Sequence, residues 1–245
     1  MVRLFAKEEN RTKGRFVIEG SDYNHVRNVL RMRQGDAIQV STEGERVYNC
    51  EIADFQDGAL LLDILSEEDA RTELKAEIWL FQGIPKGDKF ETILQKAVEL
   101  GASAVVPVLM KRCVAKPDPK KAEARLKRYA SISEAAAKQS KRAVIPQAGP
   151  YMTMREAVDF CKGFDRVFIP YENASNMKQT KEWLSEVREG ERIAVFIGPE
   201  GGFEEAEVRD VEAIGGRAIT LGRRILRTET AGPALLSVLM FGLET

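Results

Sequence analysis

Histidine occurs once in the 245 residues, at His25, and cysteine three times, at Cys50, Cys113 and Cys161, with no Cys-x-x-Cys pair among them. That scarcity excludes a disulfide framework and a zinc centre, and leaves the thiols as buried or idle groups of a reducing compartment. No apolar run approaches the ~18 residues of a membrane span, and Met1 to Arg15 is charged rather than shaped like a secretion signal, so a cytoplasmic protein is expected. Neither G-x-G-x-x-G nor G-x-x-x-x-G-K-[ST] occurs, which removes the dinucleotide fingerprint and the P-loop. A net charge of -1, from 37 basic and 38 acidic side chains, argues against binding nucleic acid by bulk attraction. What is present is ordinary for a folded chain, 44% hydrophobic and 31% charged residues, enough to bury a sizeable core.

The charges are unevenly distributed. From Lys116 to Arg142 there are nine basic and three acidic residues, a composition suited to phosphate. From Glu182 to Ala213 there are ten acidic and three basic, which would repel it. Solvated helix faces are the plain alternative for both stretches.

The chain changes pattern along its length. Arg15–Glu19, Ala37–Ser41, Val47–Ala53 and Ala59–Leu65 are β-rich segments separated by turns, which predicts a small β-barrel in residues 1–70. Asp22–Met32 between the first two is predicted as a helix with Val26, Val29 and Leu30 on its buried side, and His25 as a packing or capping residue there. The polar stretch Ser66–Lys75 marks the domain boundary. In residues 76–245 strands alternate with helices, the signature of an α/β domain with a parallel sheet. Strands are predicted at Glu77–Gln82, Ala104–Leu109, Arg166–Pro170, Ile193–Gly198 and Arg217–Leu221. Phe90, Ile93, Leu94, Ala97 and Val98 recur at helical spacing before Gly101, and further helices are expected at Lys120–Ser140, Lys178–Arg188, Glu204–Ile214 and Ala231–Leu243.

Two loops after strand ends carry the chemistry, since open α/β sheets bind ligands at the carboxyl ends of their strands. Gly198-Pro199-Glu200-Gly201-Gly202-Phe203 has three glycines that allow close backbone approach, followed by a helix start with unpaired N–H groups. Leu221-Gly222-Arg223-Arg224-Ile225-Leu226-Arg227-Thr228-Glu229-Thr230-Ala231 sets three arginines beside a glycine before another helix. Alone, either is a turn or a solvated surface loop. Together, both after strands and close in sequence, they point to one ligand site.

The pair of loops resembles the cofactor-binding signature of the RsmE family of ribosomal RNA uridine-N3 methyltransferases. Three further segments match in the family's order: HVRNVLRMRQGD (His25–Asp36), KGDKFETILQKAVELGASAVVPV (Lys86–Val108) and EAAAKQSKRAVIP (Glu134–Pro146). The resemblance spans nearly the whole chain. It implies a PUA-like β-barrel for RNA followed by a SPOUT-type catalytic domain with a carboxyl-terminal trefoil knot, S-adenosylmethionine as cofactor, 16S ribosomal RNA or the small subunit as partner, and a homodimer without metal or membrane contact. The knot rests on the resemblance alone, because chain-connectivity rules treat knots as rare exceptions.

By the same resemblance Ile197, Gly198, Glu200, Gly201, Gly202, Leu221, Gly222, Ile225, Leu226 and Thr228 hold the cofactor. Arg227 is expected to stabilise charge developing on the uracil carbonyls, and Arg223 or Arg224 to place a phosphate. Glu229 is either the base for the N3 proton or a carboxylate favoured at a helix start. Arg3, Arg27, Arg31, Arg33, Lys86, Lys89, Arg112, Lys138 and Arg142 form a group of candidate RNA contacts. A ribose 2′-O-methyltransferase of the same superfamily and a non-catalytic RNA-binding assembly protein are the competing readings.

Overall fold

The computed structural model describes residues 1–42, 46–70, 72–115 and 119–244; Lys116 and Asp118 of the basic stretch lie outside them. The chain divides into two compact units, Met1–Glu73 with Ala137–Ile145, and Leu74–Ala136 with Pro146–Thr245.

The first unit is a six-stranded sheet. Its strands are β1 (Val2–Phe5), β2 (Arg11–Thr12), β3 (Arg15–Glu19), β4 (Ala37–Ser41), β5 (Arg46–Gln56) and β6 (Ala59–Asp69), in spatial order β1-β4-β5-β6-β3-β2. Between β3 and β4 lies the short helix α1 (Ser21–Asn24). All neighbours are antiparallel except β1 and β4. Alternation along the strands sends Phe16 and Ile18, Ile38 and Val40, and Leu60 and Leu62 into one core, where Phe16 meets Tyr48 edge-on at 5.1 Å. Register shifts at Asn49/Cys50 and Ile52/Asp54 interrupt the β5–β6 ladder, the kind of irregularity that bends long strands.

The region predicted as one helix, Asp22–Met32, is different in the structure. After α1 the chain winds as a π-helical turn, His25–Val29, in which the Leu30 N–H reaches back to His25 O at 2.9 Å. The wider winding breaks the three-and-four spacing that would have put Val26, Val29 and Leu30 on one side. Val26 is fully buried, but Val29 is 67% exposed and Leu30 39%. His25 is exposed rather than packed, but it caps the carboxyl end of α1, its N–H donating to Ser21 O and Asp22 O.

Residues 137–145 belong to this unit through polar anchors. Arg142 Nε donates to Glu73 Oε2 at 3.0 Å and the Ala143 N–H to Glu73 Oε1 at 2.8 Å. Arg3 donates to Lys141 O and, at 2.8 Å, to Gln39 Oε1; Lys138 Nζ lies 2.7 Å from Asp22 Oδ1. Arg3 and Arg142, read from sequence as RNA contacts, are buried with their guanidinium groups engaged inside the unit. Lys138 is likewise committed to a carboxylate. An isolated sequence window cannot distinguish an arginine that meets phosphate from one that clasps a distant segment of its own chain.

The second unit is built on parallel strands: β7 (Glu77–Gly83), β8 (Ala104–Leu109), β9 (Gln147–Ala148), β10 (Met152–Thr153), β11 (Arg166–Pro170), β12 (Arg192–Ile197) and β13 (Arg217–Ile219). Their order is β10-β8-β7-β12-β11-β13, with β9 also on β8. The helices are α2 (Lys89–Glu99), α3 (Pro119–Ser140, entering the first unit at Ala137), α4 (Met154–Phe160), α5 (Met177–Ser185), α6 (Glu205–Ala213) and α7 (Thr228–Leu243). α2 packs against α7, and α4 against α6. The central strands are buried along their length, as a parallel sheet covered by helices requires. In α2, Phe90, Ile93, Leu94, Ala97 and Val98 are all buried, and Gly101 ends the helix at φ +86°. A Cβ there would also meet the Leu74 side chain at 2.5 Å.

α4 was not foreseen, although its start is written in the sequence. Thr153 Oγ1 accepts from the Glu156 N–H at 3.3 Å while the Glu156 carboxylate accepts from the Thr153 N–H at 2.7 Å, a reciprocal cap. The Thr153 N–H and then the Thr153 hydroxyl, both donating to it, hold the Glu156 carboxyl below its ordinary pKa.

Candidate active site

The carboxyl ends of β11, β12 and β13 open onto a cleft of about 920 Å³. Both glycine-bearing loops line it. Of the ten residues expected to hold a cofactor, nine are on its wall; the exception, Ile197, is buried beneath it, beside Gly232 of α7. Arg227 and Glu229 also line the cleft, as do Lys89, Arg223 and Arg224.

The Gly198 loop is compact because it lacks side chains where its backbone folds back. A Cβ on Gly198 would stand 3.2 Å from the Gly202 backbone, and one on Gly201 3.0 Å from Arg112 Cβ. The Gly202 N–H donates to Pro199 O at 2.9 Å, and Gly202 itself sits at φ +69°. Gly222, in the second loop, sits at φ +116°, a conformation that excludes most side chains. Gly83, at the end of β7, admits the loop from below: a Cβ there would be 2.6 Å from the Pro199 ring.

Buried polar groups join the two loops. Thr228 Oγ1, at the first turn of α7, donates to Gly198 O at 2.7 Å and accepts from Gln82 Nε2 at 2.8 Å. Gln82 Nε2 donates its second proton to Gly83 O at 2.9 Å. One hydroxyl thus ties β7, the Gly198 loop and α7 together. Sequence reasoning singled out Thr228 but missed Gln82, which reads as one more residue in an apolar strand.

A charged clasp repeats the connection at the surface. Lys89 Nζ lies 3.0 Å from Glu200 Oε1 and 3.4 Å from Glu229 Oε2. Glu200 also accepts from the Lys86 N–H at 3.1 Å. Burial works against ionisation of Glu200, but its own N–H, the Lys89 ammonium and the Lys86 N–H outweigh that and hold its carboxyl below the usual value. The Glu229 carboxyl is lowered as well, first by its own backbone N–H and then, against some desolvation, by Lys89. Lys89 is raised in turn, mainly by Glu200. A carboxylate with a lowered pKa is a weaker base, which favours the helix-start role of Glu229 over proton abstraction.

Arg112 holds the far side of the Gly198 loop, donating to Gly201 O at 3.1 Å and to Glu204 Oε1 at 2.8 Å. The carboxylate of Glu207, itself buried, accepts the Lys111 N–H at 2.8 Å and the Glu204 N–H at 2.9 Å. Lys89 and Arg112, both expected to contact RNA, therefore have partners within the site, whereas Arg223, Arg224 and Arg227 are exposed. Arg227 approaches Glu229 only to 4.0 Å, with 83% of its side chain exposed.

A third wall, from Tyr171 to Met177, was not foreseen. It follows β11, a strand the sequence located correctly, so the rule that led to the other two loops also applied here. Its polar, glycine-free sequence offered no second signal. Among the described residues no group of three or more His, Cys, Asp or Glu side chains is arranged to hold a metal ion, and no helix is long and apolar enough to cross a membrane.

Known proteins match both units. Residues 72–240 match the family model of the RNA methyltransferase domain, and residues 18–65 that of the RNA methyltransferase PUA domain. The chain is 33% identical to ribosomal RNA small subunit methyltransferase E of Bacillus subtilis, over 94% of this chain and 91% of the relative. It is 30% identical to the protein of the same name from Synechocystis, over 99% and 78%. The crystal structure of a ribosomal RNA small subunit methyltransferase E from Neisseria gonorrhoeae bound to S-adenosyl methionine superposes with a TM-score of 0.84 at 30% identity, covering 98% of this chain and 97% of that one.

Proposed function

The chain belongs to the family of ribosomal RNA small subunit methyltransferase E, and from that premise we propose that it transfers the methyl group of S-adenosylmethionine to N3 of a uridine in 16S ribosomal RNA. The observation that carries the reading is the cleft itself: two glycine-bearing loops, at strand ends, fastened to each other by Thr228 and by Lys89. Its volume of about 920 Å³ is ample for a nucleoside-sized cofactor. Gly202 and Gly222 leave backbone bare on two sides of it, and Leu221, Ile225 and Leu226 supply apolar surface.

When bound, S-adenosylmethionine supplies a methyl group already activated by a sulfonium. The chain's own residues then have two tasks, alignment and charge control. Uridine N3 must lose its proton, which passes to solvent, and the negative charge that results spreads to the flanking carbonyls. Arg227, exposed at the rim and only loosely held by Glu229, is placed to meet that charge. Glu229 serves α7 and Lys89 rather than the proton. Arg223 and Arg224 place a phosphate of the substrate strand.

Two finer features belong to the same reading. After β13, at one edge of the sheet, the chain returns to the neighbourhood of β7 and β12, where Thr228 and Gly232 pack; this return is the segment that forms the trefoil knot. On α7, Val238 is 53% exposed and Phe241 83%, an apolar strip suited to a second copy in a homodimer. The first unit, with its PUA match, serves as the RNA-binding domain.

The test is to incubate the purified protein with labelled S-adenosylmethionine and small ribosomal subunits lacking this modification, then identify the labelled nucleoside by mass spectrometry. Label in 3-methyluridine is expected. Label in a 2′-O-methylated nucleoside would replace the proposed reaction with ribose methylation, and absence of both cofactor binding and label would leave an RNA-binding protein.

A further inference from the structure

The π-helical turn in the first unit exposes surface that the sheet core does not use. Val29 and Leu30 are exposed, and Arg31, which is not a glycine, takes φ +54° in the left-handed region. The Met32 N–H reaches back over that turn to Val26 O at 3.1 Å, so the strained winding is held in place by the buried Val26. Strained backbone and π-helical winding are kept where the geometry itself is used. Here the result is to present two apolar side chains to solvent.

Their neighbours along the chain are cationic. Between Asn24 and Gly35 the chain carries Arg27, Arg31 and Arg33 and no carboxylate. The two nearest acidic residues in sequence are occupied: Asp22 pairs with Lys138 at 2.7 Å, and Asp36 Oδ2 accepts the Arg33 N–H at 2.7 Å. The Arg27 guanidinium lies 5.6 Å from the Tyr23 ring and 5.5 Å from that of Phe55, and it donates to the Tyr23 hydroxyl. Those rings fix its direction at little conformational cost. Exposed apolar groups interleaved along the chain with three arginines suit a ligand with an apolar face and flanking negative charge.

We propose that His25–Arg33 is a docking surface for an unpaired stretch of RNA, with a base laid on Val29 and Leu30 and the adjoining phosphates at Arg27, Arg31 and Arg33. The proposal rests on the reading of the chain as a ribosomal RNA methyltransferase and adds to it the conformation of the RNA that the first unit selects. A duplex hides its base faces in the stack and offers Val29 and Leu30 nothing apolar; an unpaired strand exposes them.

The experiment uses the full chain, its V29S/L30S and R31A variants, and a fluorescent oligoribonucleotide of about 12 nucleotides, unpaired or annealed to its complement. Cofactor binding is titrated in parallel as the control for the separate site. Unpaired RNA is expected to bind more tightly than duplex, and V29S/L30S to weaken the unpaired strand about ten-fold while leaving the duplex unchanged. R31A should lower the slope of log affinity against log salt by about 0.7, the loss of one phosphate contact on a single strand. Equal affinity for both forms, or V29S/L30S binding like the parent, would overturn the proposal. So would a change of oligomeric state in V29S/L30S, which would make the patch a contact between copies. If RNA binding fails while cofactor binding persists, this surface alone is wrong; if both fail, the methyltransferase reading fails with it.

Discussion

Replacing Thr228 with valine removes one hydroxyl and leaves the shape of the side chain almost unchanged. Two buried partners lose a bond: Gly198 O, which accepts from Thr228 at 2.7 Å, and Gln82 Nε2, which donates to it at 2.8 Å. Thr228 is 6% exposed and Gln82 fully buried, so water does not replace the lost group. An orphaned buried polar atom costs about 1–3 kcal/mol. Gln82 keeps its bond to Gly83 O, which places its share at the lower end and the total at ~2–5 kcal/mol. For a chain of this size a loss of 1 kcal/mol lowers Tm by roughly 2–4 °C, so the variant should melt at least ~4 °C below the parent. Because the bond fixes the Gly198 loop to the start of α7, the affinity for S-adenosylmethionine should fall too. Calorimetric melting with and without cofactor, and a cofactor titration, measure both. Thr228→Ser, which restores the hydroxyl, should recover most of the affinity. Tm and cofactor Kd indistinguishable from the parent in Thr228→Val would refute the assignment of this hydroxyl as the link between the loops.

Further outcomes follow from the same geometry. Arg227→Ala should lower kcat by about 10²–10³-fold, the typical cost of one donor to a developing anion, and leave cofactor binding intact; full turnover would remove Arg227 from the chemistry. Glu229→Gln should reduce turnover far less than Arg227→Ala in the same assay, since the lowered pKa of Glu229 makes it a poor base. The carboxyls of Glu200 and Glu229 titrate below the ordinary 4.5, so their contribution to stability is complete above that pH and is lost as the pH falls through the lowered values. Lys89→Met should flatten this acid limb in melting curves recorded from neutral pH downward, and an unchanged pH profile would separate Lys89 from the two carboxylates. Phe241→Glu should turn a dimer into a monomer in light scattering, and a parent already monomeric would remove the dimer from the reading.

The sequence was most legible where local rules decide the outcome. β3, β4, β8 and β11 have the predicted bounds, and the spacing of Phe90, Ile93, Leu94, Ala97 and Val98 matches the buried residues of α2. Legibility ended where distant segments meet. No window around Arg142 contains Glu73, and none around Arg3 contains Lys141. The π-helical turn defeated a periodicity argument because its winding obeys a different period. In the site, glycines marked the loops, since the backbone conformation they require restricts residue type. Lys89, Arg112 and Gln82 carry no such mark; their roles exist only through Glu200, Glu204 and Thr228, each far away in sequence.

The pairing of β7 with β12 joins strands whose facing ends, Glu77 and Arg192, are 115 residues apart. In kinetic terms this pairing closes a large loop before its contacts return anything, which makes it a slow step of folding. The Gly198 loop follows β12 directly, and its attachments to Lys86 and Lys89 wait on that closure. Cofactor therefore has no organised place to bind until the sheet is nearly complete. Its presence should slow unfolding of the finished protein while leaving the rate of folding almost untouched.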